Sequence, residues 1–270
     1  AGALFASETQ LVMYGGTTGD SDGLSMPSER QVLRYQLPEG GKEQGKWDLF
    51  DLPTGLHRYV SNGASVNVME EKMGFVFSGL RGKNWSETRH MSRPAYNPTT
   101  LSNRLLTLDL STSARWLNET IPSSIPLRYD ARMVWVPRGK KGSLVVIGGV
   151  INGVEWRELN AVKGTVTEED VEESEPTVEG FMTEVAVYDV EAKKWYMQKT
   201  NGVAPPALSQ HCAVTVNAGE LSNIYVLGGR RGLQTTDAFN PNVYVLTLPS
   251  FTWALVKEGT PDYARISHTC

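Results

Sequence analysis

Leu144-Val145-Val146-Ile147-Gly148-Gly149, a short apolar strand ending in two glycines, is the stretch on which the reading of this chain turns. It returns as Leu11-Val12-Met13-Tyr14-Gly15-Gly16 and as Ile224-Tyr225-Val226-Leu227-Gly228-Gly229, with a degenerate copy, Gly74-Phe75-Val76-Phe77-Ser78-Gly79, in between. Each copy is followed by a strand-like run and a tryptophan: Trp47, Trp116, Trp195 and Trp253. From each Trp to the second glycine of the next copy the chain counts 32, 33 and 34 residues, whereas from that glycine to its own Trp it counts 31, 37, 46 and 24. One half of the repeat is nearly fixed. The other varies about twofold, and length is cheapest to vary in an exposed loop. The unit therefore has a scaffold part and one loop, after the glycines, that is free to diverge.

The bulk composition fits such a repeat. At 270 residues, 40% hydrophobic and 21% charged, the chain can bury a core. A formal charge of −4 argues against a nucleic-acid footprint. No apolar run is long enough to span a bilayer, and residues 1–15 lack the pattern of a signal peptide. The 26 glycines and 14 prolines lie scattered between short Val/Ile/Tyr runs, as turns between many strands would. Two cysteines, Cys212 and Cys270, are too few for a dense disulfide framework; they can pair, stay free, or bond outside the chain.

Filling in the runs gives four strands per repeat: 3–7, 10–15, 31–37 and 47–50; 61–68, 73–78, 104–110 and 115–118; 130–136, 143–148, 183–190 and 195–200; 209–216, 223–228, 242–248 and 252–257. Repeated four-stranded antiparallel units predict the blades of a β-propeller. The pairs Gly15-Gly16, Gly148-Gly149 and Gly228-Gly229, with Gly79 in the second copy, allow close backbone approach where blades crowd. The tryptophans supply apolar plates between sheets, completed by Tyr35, Leu108, Tyr188 and Tyr244.

Apolar strand, Gly-Gly, Tyr188-Asp189 and then Trp195 is a pattern that resembles the kelch repeat, in four copies over essentially the whole chain. The second copy departs from it, with Ser78 for the first glycine and Leu108 for the tyrosine. The resemblance implies one propeller domain over 1–270, with blades at about 1–52, 53–118, 119–200 and 201–257. The segment 264–270 would start a further blade of a six- or seven-bladed ring. Arg265-Ile266-Ser267-His268-Thr269 is the counterpart of Ser209-Gln210-His211 one blade earlier. An open arc of such blades leaves apolar faces exposed.

Alternate loops of an antiparallel blade share one end, so the loops after the glycines (17–30, 80–103, 150–182 and 230–241) share an end with the connections between blades. Their net charges alternate as −2, +3, −7 and +1. Two readings fit: solvated loops whose charges compensate their neighbours, or a surface for a basic or patchy protein. On the second reading Arg81, Arg89, Arg93, Arg230 and Arg231 stand beside Glu168, Glu169, Asp170, Glu172, Glu173 and Glu175, in a segment expected to be disordered until bound.

Asn84-Trp85-Ser86 and Asn118-Glu119-Thr120 match the N-glycosylation sequon, in no greater number than chance supplies. Their placement in expected loops, and a resemblance to fungal secreted or membrane-anchored kelch proteins suggested by Gly2-Ala3-Leu4-Phe5 and Arg265–Cys270, make Asn84 and Asn118 candidate acceptors and the chain a candidate extracellular or cell-surface glycoprotein. Asp20-Ser21-Asp22-Gly23 begins like a calcium loop, but Leu24 and Met26 follow where oxygen donors are needed, so it reads as a turn. His57, His90, His211 and His268 show no metal-ligand spacing, and the repetition of His211 as His268 favours a structural hydrogen-bonding role. No nucleophile elbow, phosphate loop, zinc-protease motif or Tyr-His pair for copper-radical chemistry is visible. The expectation is a binding module with no catalytic residue, cofactor or metal, for a protein or cell-wall ligand. The alternatives are a carbohydrate-binding or carbohydrate-oxidising propeller and an intracellular kelch adaptor.

Overall fold

The strands of the computed structural model follow the repeat closely; it describes residues 2–16, 28–38, 40, 44–81, 100–111, 114–151, 177–231 and 239–270. Sheet I joins β1 (Gly2–Ala6), β2 (Gln10–Gly15), β3 (Gln31–Gln36) and β4 (Lys46–Asp51) in that order, antiparallel throughout. Next come β5 (Val60–Ser61), β6 (Ala64–Val68), β7 (Met73–Phe77), β8 (Leu80–Arg81), β9 (Thr100–Leu101), β10 (Arg104–Asp109) and β11 (Arg115–Thr120). Sheet II runs β11-β10-β7-β6, while β5, β8 and β9 form a small sheet of their own. Sheet III holds β12 (Arg132–Val136), β13 (Ser143–Ile147), β14 (Glu184–Asp189) and β15 (Lys194–Lys199). The last elements are β16 (Asn201–Gly202), β17 (Leu208–Ser209), β18 (Cys212–Ala218), β19 (Leu221–Leu227), β20 (Arg230–Arg231), β21 (Val243–Leu248) and β22 (Thr252–Lys257).

Sheet IV has five strands, β16-β22-β21-β19-β18, one more than the repeat predicts. The extra one is the connection from sheet III, which runs parallel to β22 as Asn201 N–H donates to the Phe251 carbonyl (2.8 Å). Gly202 permits this: it sits at φ +79°, and any Cβ there would strike the Trp253 carbonyl. A helical turn at 177–183 precedes β14. The tail 265–270, expected as a strand, forms none.

The chain divides into two compact units, Ala1–Ile121 with sheets I and II and Pro122–Cys270 with sheets III and IV. The division falls between the second and third repeats. In unit 1 one face of sheet I (Ala3, Phe5, Val12, Tyr14) packs on Leu106, Leu108 and Trp116 of sheet II. The Trp116 ring lies 5.1 Å from that of Tyr14 and meets Phe5 edge-on at 6.3 Å. Phe5 itself lies flat over Gly74, where an added Cβ would overlap its ring. In unit 2 Val134, Val136, Val145 and Ile147 of sheet III face Ile224, Val226, Leu246 and Trp253 of sheet IV. Trp253 is buried and donates from Nε1 to the Met182 carbonyl (2.8 Å). Burying side chains of this size stabilises by about 1.5–3 kcal/mol each.

One expectation about the aromatic layer changes. Trp116 and Trp253 are plates between sheets, whereas Trp47 is 57% exposed. Among the described residues of its unit, no sheet covers that face of sheet I. Tyr35 and Tyr188 do pack on Trp47 and Trp195, with tilted rings 4.7 and 4.9 Å apart. Tyr244 lies in the buried layer around Trp253 as the repeat predicts, while the residue directly paired across from Trp253 is Leu246.

Candidate functional site

The second glycine of each pair donates its N–H to a carbonyl on the way to the next blade: Gly16 to Val60, Gly149 to Leu208 and Gly229 to Arg265, each at 2.8 Å. Both residues of each pair lie in the left-handed region, Gly148 and Gly149 at φ +60° and +93°. The geometry explains the repeat, because an L-residue takes this conformation only at a cost of about 1–2 kcal/mol. Ser78 accepts that cost, making the same turn at φ +51° while buried.

The turn directs the chain into a short strand before it leaves the sheet. Leu80–Arg81 pairs with both Val60–Ser61 and Thr100–Leu101, and Arg230–Arg231 pairs with Leu208–Ser209. The return of each loop closes on the glycine where it began: Ser102 N–H donates to the Gly79 carbonyl and Asn240 N–H to the Gly229 carbonyl, both at 2.8 Å. Asn240, buried, adds Nδ2–H bonds to the carbonyls of Gly228 (3.1 Å) and Asn242 (3.0 Å). Two loops of very different length thus have the same pinned base.

Arg81, Arg230 and Arg231, expected in loops, therefore belong to short paired strands at the loop bases. Arg230 and Arg231 are strand neighbours and project to opposite faces. Arg89, Arg93, Glu168, Glu169, Asp170, Glu172, Glu173, Glu175 and the sequon residue Asn84 lie outside the described residues, as does His90. Asn118 is exposed on β11, an edge strand of sheet II and not a loop. At the opposite, hairpin end of unit 1, a cavity of about 320 Å³ is lined by residues including Glu8, Glu70 and Lys72.

One feature without a sequence signal is a ladder along the connections of unit 2. Asp130, Gln210 and Ser267 occupy one repeat position, all at φ +53° to +54°. Gln210 N–H donates to the Asp130 carbonyl (3.0 Å) and Ser267 N–H to the Gln210 carbonyl (2.9 Å). Their side chains repeat the link, Gln210 Nε2 to Asp130 Oδ2 and Ser267 Oγ to Gln210 Oε1, each at 3.0 Å. Arg132 reinforces it by donating to the carbonyls of His211 and His268. The tail thus docks as 208–211 docks one repeat earlier, although it is not a strand.

His211 is fully buried beside the Leu208 carbonyl, and its Cε1 would lie 2.7 Å from a Cβ at Gly148, so its ring packs against the glycine turn. Burial foremost, then the charges of Arg132 and His268, push its pKa down to about 3, against the Leu208 carbonyl, which favours the proton. His268, in the same relation to Gly228, is also shifted down, chiefly by burial. Cys212 and Cys270 are joined as a disulfide (Cα–Cα 5.9 Å), which locks the tail to the first residue of β18.

Among the described residues no cluster of three or more His, Cys, Asp or Glu could hold a metal ion, and no helix is long and apolar enough to cross a membrane. No family model matches the chain. It is similar to a kelch repeat-containing protein of Arthroderma benhamiae, 25% identical over 302 aligned residues, which takes in 100% of this chain. The chain spans 41% of that relative's length. With its repeated four-stranded antiparallel sheets, Gly-Gly turns and inter-sheet tryptophans, the all-β architecture fits a kelch-repeat protein.

Proposed function

We propose that the chain is a protein-interaction module that recognises its partner through the loops following the glycine turns, in an extracellular or cell-surface setting. The observation that carries this reading is the pinned loop base. Where the return is described, loops of unequal length leave and re-enter at one hydrogen-bonded glycine, Gly79 with Ser102 and Gly229 with Asn240. A rigid scaffold bearing length-variable loops is the usual form of a grafted binding surface. Arg81, Arg230 and Arg231 stand at the loop bases, and the acidic run 168–175 lies on another post-glycine loop, so the partner is expected to present mixed charge. The Cys212–Cys270 disulfide supports an oxidising compartment, and the exposed Asn118 sequon is compatible with passage through the secretory route.

The test compares capture of cell-surface partners by the native chain, by Arg230→Glu/Arg231→Glu, and by a charge reversal of the acids at 168–175. Both reversals should lower capture, and less so in high salt, where exposed charge is screened. Equal capture by all three proteins would refute the surface. Intact mass before and after glycosidase checks the compartment separately: loss of a glycan, abolished by Thr120→Ala, is the expected result.

A further inference from the structure

The bases of two loops that follow the glycine turns are closed by Ser102 and Asn240. The longest such loop, 150–182, is held by two neighbouring residues, Arg128 and Tyr129. Tyr129 takes the outgoing end: its N–H donates to the Val150 carbonyl (3.0 Å) and its carbonyl accepts from the Val150 N–H (2.9 Å). Arg128 takes the returning end. Its guanidinium lies over the Phe181 ring, 4.2 Å from the centroid, while Nη2 donates to the Val146 carbonyl of β13 (3.1 Å). Phe181 is buried in the helical turn 177–183, and its carbonyl accepts from the Gly148 N–H (3.3 Å). The next residue, Met182, accepts from Trp253 Nε1, which ties the same turn to sheet IV. Start and return of the loop thus meet on adjacent residues of one connection.

Arg128 is an unexpected residue for this place. It is wholly buried, and taking a guanidinium out of water is unfavourable even where it is paired. Burial pulls its pKa down to about 9, which leaves it charged at pH 7. One repeat later the same position, two residues before the left-handed ladder residue, holds Leu208, equally buried. An apolar side chain therefore fills the position, and space filling does not account for the arginine. What a leucine cannot supply is a cation over an aromatic ring.

We infer that Arg128 is a positioning residue: with Tyr129 it clamps the two ends of the loop that carries the acidic run 168–175, fixing the base from which that run meets a partner. The clamp stands on the contacts above; its use in recognition rests on the loop surface proposed for the function.

The test sets Arg128→Leu, which installs the side chain of the next repeat, beside the native 270-residue chain. Thermal unfolding of unit 2 should change little, because an apolar side chain in place of a buried charge is often neutral. Hydrogen exchange over 177–183 should nevertheless speed up about thirtyfold, the worth of a desolvated cation–π contact, while β18 and β19 keep their protection. Phe181→Leu should do the same, and the double variant should be no faster than either, since both cut one contact. Capture of cell-surface partners should fall with Arg128→Leu as it does with charge reversal at 168–175. Unchanged exchange over 177–183, or additive effects of the two substitutions, would overturn the inference. Native-level capture by Arg128→Leu where the charge reversal lowers capture would overturn it too, and the loop surface would stand without it. If exchange speeds up and neither variant lowers capture, the proposed surface falls and the clamp remains. Should Arg128→Leu lose strand content by circular dichroism, Phe181→Leu carries both readouts alone.

Discussion

Breaking the Cys212–Cys270 bond is the perturbation whose size follows most directly from the structure. The bond closes a loop with a sequence separation of 58 residues, enclosing the strands from β18 to β22. In the chain-entropy description such a loop removes roughly 14 cal/mol/K from the unfolded state, or about 4 kcal/mol at 25 °C. Without the bond the tail keeps the Ser267 bonds to Gln210, the Gly229 bond to Arg265 and the Arg132 bond to His268. The native contacts survive and the loss falls on the unfolded side. Hydrogen exchange with mass readout is the suitable assay, because it reports each unit separately. Reduction, or Cys212→Ser/Cys270→Ser, should lower the protection of β18, β19 and β21 by about three powers of ten. β6, β7 and β10 of the other unit serve as the internal control and should not change. Equal protection of the sheet IV strands with and without the bond would refute the reasoning, showing that the unfolded chain gains no freedom from the cut.

Three further outcomes are expected. The unfolded chain takes a proton on His211 below pH about 6.5, while the folded chain keeps the ring neutral down to about 3. Unit 2 should therefore lose stability as pH falls through that window, by about 2 kcal/mol at pH 5; urea titrations at pH 7 and 5 measure it, and His211→Gln should flatten the difference. Gly74→Ala drives a methyl into the buried Phe5 ring and should cost about 1–3 kcal/mol, with Phe5→Leu in the same chain recovering much of the loss in a thermal melt. Trp253→Phe removes the bond to the Met182 carbonyl and should cost about 1–3 kcal/mol, whereas Trp47→Phe, on an exposed face, should leave the unfolding midpoint where it was.

The strands were legible because alternation and the glycine pairs are local signals, and β2, β7, β13 and β19 fall where those signals put them. Features that depend on distant backbone groups were not. β16 is a strand only because β22 lies beside it, and its two residues, Asn and Gly, have low strand propensity. Which residue faces each tryptophan across the strands is set by register: the turn that places Tyr188 seven residues before Trp195 places Leu246 seven before Trp253. The left-handed positions held by Asp130, Gln210 and Ser267 share no residue type, so the ladder has no motif to find. The Cys212–Cys270 pairing is not legible for the same reason: sequence separation says nothing about which segments dock. Of the candidate surface, charge and loop length could be read, but the pinned base could not, because it depends on backbone bonds made by Ser102 and Asn240.

The ladder bears on how such a chain changes over generations. Its backbone links, unlike the side-chain bonds beside them, require no particular residue, each repeat receiving from the one after it and giving to the one before. A whole repeat copied or deleted in register by genetic recombination leaves the same kind of donor opposite the same kind of acceptor. Repeat number is thereby separated from side-chain identity at the joints, and lineages can alter the count of sheets while each joint goes on closing as it did before.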